Sequence, residues 1–313
     1  MTVLIISDKI EGLELETTRL KEVIEARGEE TIIIDVDKFP SNLSIDMQNE
    51  SITVEDDCVK FNEVTGAFII PLQMYRAVPI RYPEDLEEEP VKYLHKLNEY
   101  RGFVEGLVEV LDQYGVKISC SVENMYNHDR KASMLQQLKM ADVNVPDTLI
   151  TNDPEELLDF YAKYDRIIAK SLTTGSKPVE LTDEYLNEKL STLETAPVMF
   201  QEYVPGNEVR AYVVDGELVA SVSTDFEYGE KSSDVTTHSE LYDCSDEVEE
   251  VILDVAKVLG LPYATVELKV EQSNNGEKIT VLEANEAGRF MGYEHRHENV
   301  DIASPLVDYL LDE

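Results

Sequence analysis

The chain has 313 residues, 42% of them hydrophobic, which suffices for two or three packed subdomains and excludes a disordered chain. Its 27 Lys and Arg stand against 65 Asp and Glu, a formal net charge of −38. A field of that sign excludes general binding to nucleic-acid backbones or anionic membranes, and it fits a solvated surface adapted to high salt. Apolar residues over 2–7 predict a buried strand. Leu13, Leu15, Leu20, Val23 and Ile24 then recur at helical spacing over 12–27, with Gly28 as the stop. Residues 31–36 read as the next strand, so the chain opens β-α-β, the start of a small doubly wound domain. Its first turn, Ser7-Asp8-Lys9, has no glycine-rich dinucleotide fingerprint. Residues 51–61 alternate as an edge hairpin, 67–71 form another strand and 90–113 a long amphipathic helix. Residues 116–119 read as a strand leaving this first domain.

Beyond it, 130–142 predict a helix and 143–150 a strand. Asp153 is a candidate N-cap, with Pro154 in the first helical turn. Strands follow over 166–170, ending on Lys170, and over 197–204. A hairpin turns at Asp215-Gly216, a helix spans 246–259, and strands at 264–270 and 278–285 flank a polar turn at 272–276. No apolar stretch has transmembrane length, and the opening apolar run is too short for a signal peptide. Cys58, Cys120 and Cys244 are scattered and odd in number, which fits reduced thiols in a cytoplasmic protein.

Glu283 and Asn285 stand two apart on one predicted strand and so share a face, with Glu267 on the strand before. Two carboxylates and an amide oxygen suit Mg²⁺, with Mn²⁺ also compatible; an acidic solvated hairpin is the plainer account. Arg289 follows in a tight turn and adds a cation. Lys131 opens a helix and Lys170 closes an apolar strand, where an ammonium can meet phosphate as a point charge, or can simply be a surface lysine. Main-chain groups of Gln201, Glu202, Tyr203 and Val204 could face a base. Glu208 and Arg210 share a strand face; they could bind a ribose hydroxyl and a phosphate, or form an ion pair with each other. His295-Arg296-His297 has no further His or Cys nearby to complete a transition-metal site, and fits a place beside a site loop or at the cap of the following helix.

The order of these residues resembles the ATP-grasp superfamily throughout, with similarity over nearly the whole chain. The likeness is nearest to RimK-like peptide ligases and the graspetide maturases of microviridin-type precursors. The stretches 1–6, 34–40, 145–154 and 200–202 also look like that maturase group. The resemblance implies an α/β and α+β architecture: an N-terminal doubly wound pre-ATP-grasp domain over 1–115, a central ATP-grasp subdomain over 116–190 and a C-terminal one over 191–313. It implies ATP with Mg²⁺. Lys131 and Lys170 would contact phosphate, Gln201 to Val204 adenine, and Glu208 ribose. Glu267, Glu283 and Asn285 would hold the metal, and Arg210 would be a catalytic cation, with Arg289 as a substitute for the arginine usual in the region of 234–238. The reaction implied joins a carboxylate to an amine or hydroxyl through an acyl phosphate, on a peptide, protein or small amino-acid substrate, with a homodimer compatible. Departures are a loop over 171–178 with a single glycine, Asp234 to His238 where an Asp-aromatic-Arg segment is usual, and Met74-Tyr75-Arg76-Ala77 where an aromatic-Arg-Arg segment is usual. Glu267 stands where aspartate is commoner. A small-molecule ligase and a nucleotide-binding module without catalysis remain as competing readings.

Overall fold

The computed structural model describes residues 1–7, 14–35, 42–70, 87–173, 178–224, 239–273 and 276–312. The expectations at Asp8-Lys9, 36–40, Met74 to Ala77, 174–177, 234–238 and Asn274-Asn275 lie outside them. The chain divides into two compact units. The first comprises Met1–Tyr126, Leu261–Tyr263 and Glu286–Glu313; the second comprises Asn127–Gly260 and Ala264–Asn285.

The first unit opens with β1 (Thr2–Ser7), α1 (Glu14–Ala26) and β2 (Glu30–Asp35), close to the expected bounds. A small antiparallel sheet follows: β3 (Leu43–Asp46), β4 (Ser51–Val54) and β5 (Asp57–Lys60). The hairpin of the last two was legible in the sequence and the first strand was not. Then come β6 (Val64–Ile69), α2 (Pro90–Gln113) and β7 (Lys117–Ile118). The four-stranded sheet runs β2-β1-β6-β7 and is parallel throughout. So β7 completes the first sheet and does not leave the domain, a correction to its sequence reading. Every residue of β1 is buried, as expected of a parallel strand covered on both faces. Leu4, Ile6, Ala67 and Ile69 pack against Val104, Leu107, Val108 and Leu111 of α2.

The second unit begins with α3 (Lys131–Met140). The strand expected over 143–150 is only β8 (Thr148–Thr151). Before it, Asn144 is committed elsewhere: its carbonyl accepts from Val281 N (2.9 Å) and its amide donates to Ile279 O (2.8 Å) and Thr280 Oγ1 (2.7 Å). α4 (Pro154–Tyr161) starts as expected, with the Asp153 side chain accepting from Glu155 N at 2.8 Å. β9 (Ile167–Lys170), β10 (Val179–Glu180), α5 (Asp183–Lys189) and β11 (Val198–Glu202) follow, and β10-β9-β11-β8 form an antiparallel sheet. Ile167, Ala169 and Phe200 pack with Leu157, Leu181, Leu186 and Leu193. By alternation Ile168, Lys170, Met199 and Gln201 therefore share the opposite face.

β12 (Asn207–Val214) and β13 (Glu217–Thr224) form the expected hairpin, followed by β14 (Ser239–Leu241), α6 (Asp246–Val258), β15 (Tyr263–Ser273) and β16 (Gly276–Asn285). The five-stranded sheet runs β14-β13-β12-β15-β16. α6 is capped by Ser245 and buries Val248, Ile252, Val255 and Ala256, one helical stripe. Gly206, at φ +114°, enters β12 against β15: a Cβ there would stand 2.6 Å from the Val270 carbonyl oxygen, so only glycine fits.

The chain then returns to the first unit with α7 (Met291–Arg296) and α8 (Ala303–Leu311). Gly66 of β6 lets α8 press onto the sheet, since a Cβ there would collide with the Leu310 carbonyl oxygen. Glu294 fixes α8: its Oε1 accepts from Ile302 N (2.7 Å) and Ala303 N (2.8 Å), while Oε2 accepts from Arg19 Nε (3.0 Å). Among the described residues no helix is long and apolar enough to cross a membrane.

Candidate nucleotide site

The site lies in the second unit, on one face of β12, β15 and β16. The β15–β16 register places Glu267 directly opposite Glu283 and Thr265 opposite Asn285. Two like charges in direct cross-strand register destabilise a sheet unless cations answer them. Here they do. Arg210, on β12, forms an ion pair with Glu267, and Lys131 Nζ, from the first residue of α3, lies 3.3 Å from Glu283 Oε2. Asn285 Nδ2 donates to Glu283 Oε1 at 3.1 Å, which leaves its Oδ1 for other partners. α3 is held on β16 by Met134, whose sulfur accepts from Ala284 N at 3.2 Å.

Lys170, at the end of β9, adds the other sheet of the unit to this cluster. Burial pulls its ammonium below the usual lysine range; the attraction of Glu283 works against this, and the nearby Lys131 works with it. The two opposed carboxylates then differ. For Glu267, burial raises the carboxyl above its usual range, Arg210 opposing and Glu283 adding. For Glu283, burial acts the same way but is outweighed by Lys131 and Lys170, with hydrogen bonds from Asn285 and Lys131 assisting, so it is held below that range. A half-buried face carrying two carboxylates, an amide oxygen and convergent ammonium groups fits a hard divalent cation with the oxygens of a polyphosphate. Among the described residues no three His, Cys, Asp or Glu side chains come together as a metal site, His295 and His297 included. The donor set here is two carboxylates and an amide.

Sequence reasoning passed over Lys269. It lies two positions after Glu267 on β15, is 4% exposed, and its Nζ stands 3.0 Å from Glu208 Oε2. Glu208 and Arg210 thus each find a partner on β15, 208 with 269 and 210 with 267. The opposite stepping is that of antiparallel neighbours. The signal was present as a lysine inside an otherwise buried strand.

The expected base-binding strand ends earlier than read: Tyr203 and Val204 lie just past β11. Glu202 N donates to Asp147 O (3.1 Å) and Tyr203 N to Arg166 O (3.0 Å), and the Arg166 guanidinium stacks on the Tyr203 ring at 3.6 Å. Among the described residues, Val204 N has no recorded partner, so it is the donor this segment retains. Gln201 is buried and donates from Nε2 to Thr148 Oγ1 at 3.0 Å. Arg289 belongs to the first unit, in the turn before α7. There the buried Glu16 accepts from Phe290 N (3.2 Å) and Met291 N (3.3 Å), and Tyr263 donates to Gly288 O (2.6 Å).

The fold has known counterparts. The RimK-like ATP-grasp domain matches residues 128–310, more than half of the chain. The ATP-grasp ligase PsnB, solved with a minimal precursor, Mg and ADP, superposes with a TM-score of 0.80 at 26% identity, over 99% of this chain and 97% of that one. A RiPP-associated ATP-grasp ligase of Chryseobacterium gregarium, with ADP and a leader and core peptide, superposes at 0.78 and 21% identity over 99% and 96% of the two chains. The macrocyclase MdnC of Microcystis aeruginosa, bound to precursor peptide MdnA, does so at 0.78 and 21% over the full length of both. No curated protein matches the chain at the level of sequence. With its mixed α/β sheets and this charged β12-β15-β16 face, the chain belongs to the RimK-like ATP-grasp family.

Proposed function

We propose that the chain is an ATP-dependent ligase that activates a carboxylate as an acyl phosphate and joins it to an amine or hydroxyl, on a peptide substrate. The observation that carries this is the convergence of Lys131 and Lys170, from a helix start and a strand end, on the opposed pair Glu267 and Glu283. The peptide substrate rests on PsnB, which matches over almost its whole length and was solved with its precursor. In this reading the substrate carboxylate attacks the γ-phosphorus of ATP and ADP departs. The amine or hydroxyl then attacks the acyl carbon and phosphate departs. Lys131 and Lys170 hold phosphate oxygens as point charges, and Arg210 can hold two oxygens of the acyl phosphate in its planar fork. Val204 N donates to the base, Gln201 to Tyr203 line it, and Glu208 accepts from the ribose. Arg289 is a second candidate cation from the turn before α7.

Glu267, Glu283 and Asn285 are the residues that would hold Mg²⁺, or Mn²⁺ by the same donor set, and the ion when bound would neutralise charge on the phosphate oxygens. A cytoplasmic location, a homodimer and adaptation to high salt belong to the same proposal. The free thiols, with Cys120 buried, support a reducing compartment, and the charge of −38 supports the salt adaptation. A melting temperature that rises with KCl into the molar range is expected; a flat or falling curve removes the salt reading. The function itself is tested by ADP release with Mg²⁺ and candidate peptides, with mass spectrometry for loss of one water per bond formed. ADP release without any peptide product sinks the peptide ligase; release with free amino acids alone favours a small-molecule ligase.

A further inference from the structure

A lysine in the middle of a buried strand, between Leu268 and Val270, is unusual, and a buried ion pair is seldom more stabilising than apolar residues of the same volume. Lys269 therefore calls for a reason beyond stability. It sits on the face that carries Arg210, Glu267 and Glu283, one step along the strands from the Arg210–Glu267 pair, with its Nζ 3.0 Å from Glu208 Oε2. The close approach of Gly206 to Val270 locks the start of β12 onto β15 beside this pair. Glu208 is the third carboxylate of the face, and repulsion from the other two would turn it away were no cation fixed beside it.

We propose that Lys269 is a positioning residue of the nucleotide site: it grips Oε2 of Glu208 and so presents Oε1 to the hydroxyls of a ribose. This rests on the ATP reading above. A lysine suits the task because a single ammonium holds one carboxylate oxygen and leaves the other to accept, where an arginine fork would tend to engage both.

The test is calorimetric binding of ATP and of 2′,3′-dideoxy-ATP, with Mg²⁺, to the full chain and to Lys269→Met, Lys269→Gln and Lys269→Arg, with thermal melts alongside. The wild type is expected to favour ATP about tenfold or more, the worth of a hydrogen bond to a charged group. Lys269→Met should bring the ratio of the two dissociation constants close to one, Lys269→Gln should leave an intermediate ratio, and Lys269→Arg should restore part of the preference. A purely structural ion pair would lower the melting temperature and leave the ratio untouched. If Lys269→Met does not fold, Lys269→Gln, which can still donate to Glu208, carries the measurement. Wild-type preference in either folded variant overturns the inference, as does a wild type that binds both nucleotides equally. A wild type that binds neither overturns the ATP reading, and the inference with it.

Discussion

Glu16 is a buried glutamate of the first unit and Glu283 a half-buried one of the second, and their surroundings drive them in opposite directions. Burial pushes the carboxyl of Glu16, on α1, up, against the pull of main-chain N–H groups, those of Phe290 and Met291 among them, and of the Arg289 charge. For Glu283, on β16, burial works in the same direction, yet Lys131 and Lys170 overcome it and hold the carboxyl down. A carboxylate whose neighbours are backbone donors ties one segment to another. A carboxylate whose neighbours are ammonium groups belongs to a charge cluster that a polyphosphate and a divalent cation can enter without building new compensation.

The comparison is broken most severely by removing the oxygen donors that would hold the metal. Replacing Glu283→Ala together with Asn285→Ala is expected to abolish ADP formation while far-UV circular dichroism stays native. Unchanged turnover would remove both residues from the site. Next in size, Arg210→Ala should lower kcat by about 10²-fold or more if the guanidinium stabilises charge in the transition state. It should also lower the melting temperature, because Glu267 loses its partner. A lower melting temperature with wild-type kcat would reduce Arg210 to an ion-pair partner. Lys170→Ala should act chiefly on KM for ATP, raising it about tenfold, since a phosphate contact is made in ground and transition states alike; a fall in kcat with KM unchanged would contradict that.

The smallest effect sharpens the other side. The folded-state pKa of Glu16 is raised, so its contribution to stability is complete below the ordinary carboxyl range and is lost as pH rises through the raised value. Glu16→Gln stays neutral at every pH. The melting temperature of the wild type relative to Glu16→Gln should therefore fall as pH rises from about 4, by a few degrees at about 2–4 °C per kcal/mol. A difference independent of pH would show that Glu16 titrates normally.

Within single elements, local chemistry sufficed. The 24-residue helix over 90–113, the Asp153 cap and the hairpin at Asp215-Gly216 were legible because helical period, N-cap chemistry and turn residues act over a few positions. Strand period two likewise placed Glu283 and Asn285 on one face. The sequence also carried the order Lys131, Lys170, Glu208, Arg210, Glu267, Glu283 and Asn285, the basis of the family resemblance. Register was beyond it. That Glu267 faces Glu283, that Arg210 meets Glu267, and that Lys269 seizes Glu208 depend on how strands far apart in the chain align, which no local period encodes. The pairing of β7 with β6 and the return of 286–313 to the first unit, where Glu16 receives the turn beside Arg289, were settled the same way. The return draws its energy from contacts across up to 281 positions of sequence, and only the folded chain brings those residues together.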